Sequence, residues 1–178
     1  MNIIILLLIG INCYVYYNIY NGKLDLDDLG ASYLYVFVRR DYKRLLTSAF
    51  AHMSPLHLMF NMYSLYNIGN VITKLFGTIH FLIIFFVTMI LGQIFALYLR
   101  HSNSDDYTMS VGASGAIFGL FGVYFMTIIR IFGIAGIGSI TPTIVSMVIL
   151  SFMPGIDSKA HICSLAVGVV LGYLMLML

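Results

Sequence analysis

Three short segments bring reactive side chains into an otherwise apolar chain. His52-Met-Ser-Pro-Leu-His57-Leu-Met-Phe-Asn61 supplies two imidazoles and a carboxamide. His57 and Asn61 are four residues apart, so on a helix they share one face. Gly112-Ala-Ser114-Gly115 offers a hydroxyl flanked by glycines, and Ala160-His161 offers a further imidazole. A hydroxyl is a weak nucleophile until an adjacent base takes its proton, and histidine is the commonest such base. Each residue also has a plainer reading. A serine in an apolar helix usually bonds the carbonyl one turn back. A single intramembrane histidine can simply bridge helices, and imidazole is also the commonest metal ligand. No His-x-x-x-His pair accompanies these histidines, and the expectation is a site without metal or cofactor. His80 and His101 stand at segment ends, where a solvated role fits.

The elements that must position these groups follow from composition. Of 178 residues, 61% are hydrophobic and only 9% charged, and the mean hydropathy is +0.98. A soluble domain carries about 25% charge, so this chain cannot present an ordinary water-facing surface. A net charge of +2 is too small to imply an anionic partner, and nucleic acid is excluded as one. The charges leave six free runs: Met1–Gly22, Leu45–Thr73, Leu75–Leu99, Tyr107–Ile129, Ile131–Ile156 and Ala160–Leu178. A spanning helix needs roughly 17–25 mainly apolar residues, and every run can hold one. The expected fold is therefore an all-α polytopic membrane protein, a single domain over residues 1–178 with six transmembrane helices. The first run has neither a basic leader nor an Ala-x-Ala cleavage site, and reads as a retained helix rather than a signal peptide. Between the first two helices lies Leu29-Gly-Ala-Ser-Tyr-Leu-Tyr-Val-Phe-Val38, too apolar for a free loop and too short to span. It sits among charges, and an interfacial element half sunk among headgroups reconciles the two. Cys13 and Cys163 both fall in apolar runs and imply no disulfide framework.

Topology then draws the three segments together. Ser114 and His161 each stand near the start of a helix, two crossings apart, so those helices run parallel and both residues lie towards one membrane side. His57 and Asn61 begin the second helix, which shares that direction. Glycine spacing allows close approach: Gly112, Gly115, Gly119 and Gly122 precede or line the fourth helix, and Ala160, Ser164, Gly168 and Gly172 recur every four residues in the sixth. Small-xxx-small faces let backbones pack tightly.

With these residues in place, the sequence resembles the rhomboid intramembrane serine proteases of the compact six-helix bacterial type. The matching pieces are His52…His57-x-x-x-Asn61, Gly112-Ala-Ser114-Gly115 and Ala160-His161-x-x-Ser164-x-x-x-Gly168, with the half-submerged first loop and its Arg44. The resemblance implies Ser114 as nucleophile and His161 as general base and acid, a dyad with no acidic third member. It implies Asn61 and His57 as oxyanion donors beside the Ser114 backbone N–H, and His52 as a structural brace for the first loop. Gly112, Gly115 and Gly168 would support the site, and Phe118 would pack on the His161 ring. Partners would be the lipid bilayer and single-span or polytopic membrane-protein substrates, reached laterally beside the fifth helix and the Met153–Lys159 loop. The location implied is the cytoplasmic membrane of a bacterial cell.

Two departures carry expectations of their own. Ser164 stands where the family commonly has glycine, which predicts a slightly wider contact between the fourth and sixth helices. Lys43-Arg44 stands where many members have Trp-Arg. Orientation divides the arguments. The loops after the odd-numbered helices hold Lys23, Arg39, Arg40, Lys43, Arg44, Arg100 and Lys159, which by the positive-inside rule favours their being cytoplasmic. The resemblance implies the reverse. Two rival functions remain: an inactive rhomboid-like protein that grips membrane helices, whose kind typically lacks the serine or histidine, and a small transporter, which would place charges mid-helix.

Overall fold

The structure is a computed structural model, and it describes residues 2–151 and 157–177. It is built almost wholly of helices: α1 (Ile3–Tyr20), α2 (Leu26–Leu29), a π-helical turn (Leu34–Val38), α3 (Arg44–Thr47), a 3-10 turn (Ser48–Phe50), α4 (Pro55–His101), α5 (Ser114–Phe132), α6 (Ile137–Ser151) and α7 (Ser158–Met175). Four of these, α1, α4, α5 and α7, are long and apolar enough to cross a membrane. The loop expected at 153–159 lies outside the described residues as far as residue 156.

Local chemistry explains where the helices begin and turn. Asn2 caps α1 by accepting from the Ile4 N–H, and Gly22, at φ +68°, lets the chain leave it. Ser54 caps α4 through the His57 N–H, with Pro55 following at a position where its missing N–H does no harm. A straight helix as long as α4 would reach about 70 Å, more than twice the hydrocarbon thickness of roughly 30 Å. Gly77 breaks it at φ +82° and ψ +168°. A Cβ built on Gly69 would lie 3.3 Å from the Phe81 ring, so the chain folds back there into two antiparallel arms. The second and third apolar runs thus form a hairpin counted as one helix. Among the described residues, α6 covers 15 residues, Ile137–Ser151, of the fifth expected segment.

Polar side chains inside α1 bond locally: Asn12 and Asn18 donate to the carbonyls of Leu8 and Tyr14, while the buried Asn12 Oδ1 has no partner among the described residues. The core gathers Ile5 and Leu8 of α1 with Leu65, Ile72, Phe81, Ile84 and Phe85 of α4 and Ala116, Leu120 and Val123 of α5. The tightest contact is between α5 and α7. A Cβ on Gly168 would overlap the Gly119 carbonyl, one on Gly122 would lie 2.5 Å from the Leu165 carbonyl oxygen, and one on Gly172 would lie 2.9 Å from the Val123 Cα. The small faces read in the sequence are therefore a true backbone-to-backbone contact.

Ser164 lies beside this contact. The hydroxyl is fully buried and points to the second arm of α4, where a Cβ on Gly92 would lie 2.6 Å from the Ser164 Cα. Gly92, having no side chain of its own, leaves room for Ser164 on that arm.

The first loop is pinned by one buried cation. Arg44, 6% exposed, donates to the carboxylate of Asp41 at 2.9 Å, to the Gly30 carbonyl at 2.8 Å and to the Asp27 carbonyl, and its guanidinium lies 4.1 Å over the Tyr35 ring. Lys43, the residue in place of tryptophan, is exposed beside Asp41. The anchoring thus rests on Arg44. Ala31 and Ser110 exchange two backbone hydrogen bonds, and Gly112 N–H donates to the Ser48 carbonyl at 2.8 Å. This loop is fastened to the strand-like segment that leads into α5.

Candidate active site

The residues at the head of α5 and α7 meet. Ser114 is the first residue of α5, half-buried, with Ala113 before it. His161 lies in the opening turn of α7, 3% exposed, below the Asp157 cap. Its Nε2 is 2.7 Å from Ser114 Oγ, within hydrogen-bond distance. The α5–α7 glycine contact below holds the two helices close. Phe118, one turn after Ser114, stacks on the His161 ring with centroids 4.1 Å apart and planes 13° from parallel.

The first turns of α4 complete the site. Gly112 has φ +108°, in the left-handed region, and a Cβ there would lie 2.7 Å and 2.8 Å from Cε1 and Nε2 of His57 and 3.3 Å from Asn61 Nδ2. Only glycine satisfies both the dihedral and the approach. His57 and Asn61 therefore face the backbone two residues before Ser114, and among the described residues His57 Nδ1 and Asn61 Nδ2 have no hydrogen-bond partner. Buried donors of that kind are costly unless something accepts from them. Gly115 lies against Ser164 Oγ, 3.2 Å from where a Cβ would stand.

His52 is fully buried just before α4, its Nδ1 3.4 Å from the Phe50 carbonyl and its ring 5.0 Å from that of His57. Burial, with the neighbouring His57 adding to it, pushes its pKa down to about 3. It stays neutral and ties the end of the first loop to the start of α4. Among the described residues no three His, Cys or Asp side chains converge as a ligand set. His80 is exposed and bonds the Phe76 carbonyl, while His101 pairs with Asp106 and stacks on Tyr33 at 3.9 Å.

Residue types alone did not single out Asp157, Arg100 and Ser110, which surround the head of α7. Arg100 is 8% exposed at the end of α4 and bridges Asp105 at 2.8 Å and Asp157 at 2.6 Å. Bonds from Thr108, with Arg100 alongside, hold the Asp105 carboxyl below its ordinary range. The position of Asp157 one turn before His161, ahead of an apolar run, was a legible helix-cap signal.

A rhomboid-domain family model matches residues 39–178. The chain belongs to the rhomboid family. RHOMBOID-like protein 4 of Arabidopsis thaliana is 32% identical over 75% of this chain and 34% of its own length. RHOMBOID-like protein 2 of the same plant is 35% identical over 75% of this chain and 42% of its own. Rhomboid protease AarA of Providencia stuartii is 31% identical over 64% of this chain and 46% of its own. The rhomboid chain described here thus spans from about a third to under half of these relatives. Rhomboids are integral membrane proteins, typically intramembrane proteases, and the apolar helices agree with that.

Proposed function

We propose that this rhomboid is an intramembrane serine protease cutting membrane-protein substrates, single-span or polytopic, with a Ser114–His161 dyad. The observation that carries the reading is the 2.7 Å approach of His161 Nε2 to Ser114 Oγ. The Oγ attacks the scissile carbonyl carbon as His161 Nε2 takes its proton. The same nitrogen then returns that proton to the leaving amine, and a water repeats the sequence to release the acyl group. Negative charge collects on the carbonyl oxygen at each attack. Asn61 Nδ2, an N–H of His57 and the Ser114 backbone N–H stabilise it, and fixed donors act most where charge develops. Phe118 holds the imidazole plane, so little freedom is lost when the proton moves.

The whole of 1–178 acts in this reading as one membrane domain of six spans: α1, the two arms of α4, α5, α6 and α7. The membrane in this reading is a bacterial cytoplasmic membrane. The test is incubation of the purified protein in liposomes with a generic single-span substrate. Cleavage by the wild type and none by Ser114→Ala is expected. Equal cleavage by both would end the proposal.

A further inference from the structure

We propose that the Asp157 carboxylate is a positioning residue that ties the two dyad-bearing segments to each other, with Arg100 holding it in place. The inference rests on the protease reading above. Asp157 Oδ1 accepts from the Ala160 N–H at 3.1 Å and from Arg100 Nη2 at 2.6 Å, and its Oδ2 accepts from the Ser110 hydroxyl. Its backbone carbonyl accepts the His161 N–H at 3.1 Å. One residue thus fixes the first turn of α7, which carries His161, and grips the segment four residues ahead of Ser114. Ser110 is 3% exposed and cannot drift, because its backbone is paired with Ala31. Arg100 is 8% exposed and forks between Asp157 and Asp105. It so fastens the end of α4 to both.

The glycine contact of α5 and α7 sets how far apart the helices lie. It leaves free the sliding and tilting of their first turns, where the dyad sits. A carboxylate with three directed bonds removes that freedom, since charge-assisted bonds are short and geometrically specific. Misplacement of a reacting group by about 1 Å can cost on the order of 10²-fold in rate. The bridge touches neither substrate nor the reacting atoms; it acts through His161 and Ser114.

The experiment uses the full chain in liposomes and two readouts. One is the rate at which a fluorophosphonate labels Ser114, where Oγ bonds to phosphorus, fluoride leaves and His161 takes the proton. The other is kcat and KM for a single-span substrate. Ser110→Ala cuts the link without altering a charge, and Ser110→Thr restores the hydroxyl. Arg100→Met combined with Asp157→Asn removes both buried charges together and keeps a side chain able to cap α7. Both altered proteins are expected to label and turn over at least about tenfold more slowly with KM unmoved, and Ser110→Thr is expected to recover most of the rate. Wild-type labelling and kcat in both, or a loss confined to KM or matched by unfolding, would overturn the bridge alone. A wild type that neither labels nor cleaves would overturn the protease reading and the bridge with it.

Discussion

At the scale of single residues, the proposed chemistry depends on a proton moving between Ser114 Oγ and His161 Nε2, 2.7 Å apart. Ser114→Ala and His161→Ala are each expected to abolish cleavage while leaving the fold intact, and the double variant is expected to be no worse than either, because the pair acts as a unit. Residual cleavage by purified Ser114→Ala would contradict this. In the proposed mechanism Asn61 and His57 stabilise the oxyanion, so Asn61→Ala is expected to lower kcat by up to about 10²–10³-fold with KM little changed. A change in KM alone would make Asn61 a substrate-positioning group instead. His52 makes a different kind of contribution. Its folded pKa of about 3 lies below the 6.5 of the open chain, so between those values the unfolded chain binds the extra proton. The stability tied to neutral His52 is full above pH 6.5 and is lost as the pH falls towards 3. His52→Gln is expected to flatten the slope of stability against pH in that window by up to about 1.4 kcal/mol per pH unit. Thermal melts of both proteins in detergent from pH 7.5 to 5 measure it, and parallel slopes would refute it.

At the scale of helices, the close approach of α5 and α7 is what brings Ser114 and His161, so distant in sequence, within hydrogen-bond reach. Gly168 has no room for a methyl group against the Gly119 carbonyl, a backbone atom that cannot rotate aside. Gly168→Ala is therefore expected to cost about 1–3 kcal/mol or more and to slow cleavage by parting Ser114 from His161. Melting temperature and kcat are the measurements; an unchanged protein would mean the helices yield more easily than their backbones suggest. Gly92 meets the same limit on the arm of α4 that receives Ser164. The small residue in the third segment and the large one in the sixth are a matched pair, and only their joint geometry explains why serine is tolerated here.

At the scale of the whole molecule, the side of the membrane that holds the site is the main question. The lysine and arginine count favours a cytoplasmic site, yet two of the seven odd-loop cations are not free charges. Arg44 and Arg100 are buried and tied into the loop and the α7 cap. Arg39 lies over the Tyr35 ring and Lys43 lies beside Asp41. A charge neutralised inside a folded element biases insertion less than one on a bare loop. Discounting these charges narrows the bias without reversing it, and the expectation of a site on the outer face rests on the family resemblance. Ser102→Cys and Thr73→Cys, each made in a protein with Cys13 and Cys163 replaced, test this with an impermeant thiol reagent. Position 102 is expected to react on intact cells and position 73 only after lysis. The reverse would put the site in the cytoplasm and leave the dyad chemistry intact.

Amphipathic spacing and lipid fix a great deal before any folding is considered. An apolar run of about 20 residues must be a helix, because bare backbone groups are intolerable in hydrocarbon. The hydrophobic runs therefore announce the helices. Parity of crossings then puts Ser114, His161, His57 and Asn61 at one end, and the glycine spacing announces a tight contact. Contacts made between segments are different, since they depend on which groups meet in space. The gap between the second and third apolar runs, marked by Lys74, already parts the two arms of α4, but nothing in Ser164 points to Gly92. The Asp157 carboxylate reaches Arg100 and Ser110 across 57 and 47 residues. Only the packed bundle brings such groups within hydrogen-bond reach, because their partners are chosen by tertiary distance and not by sequence.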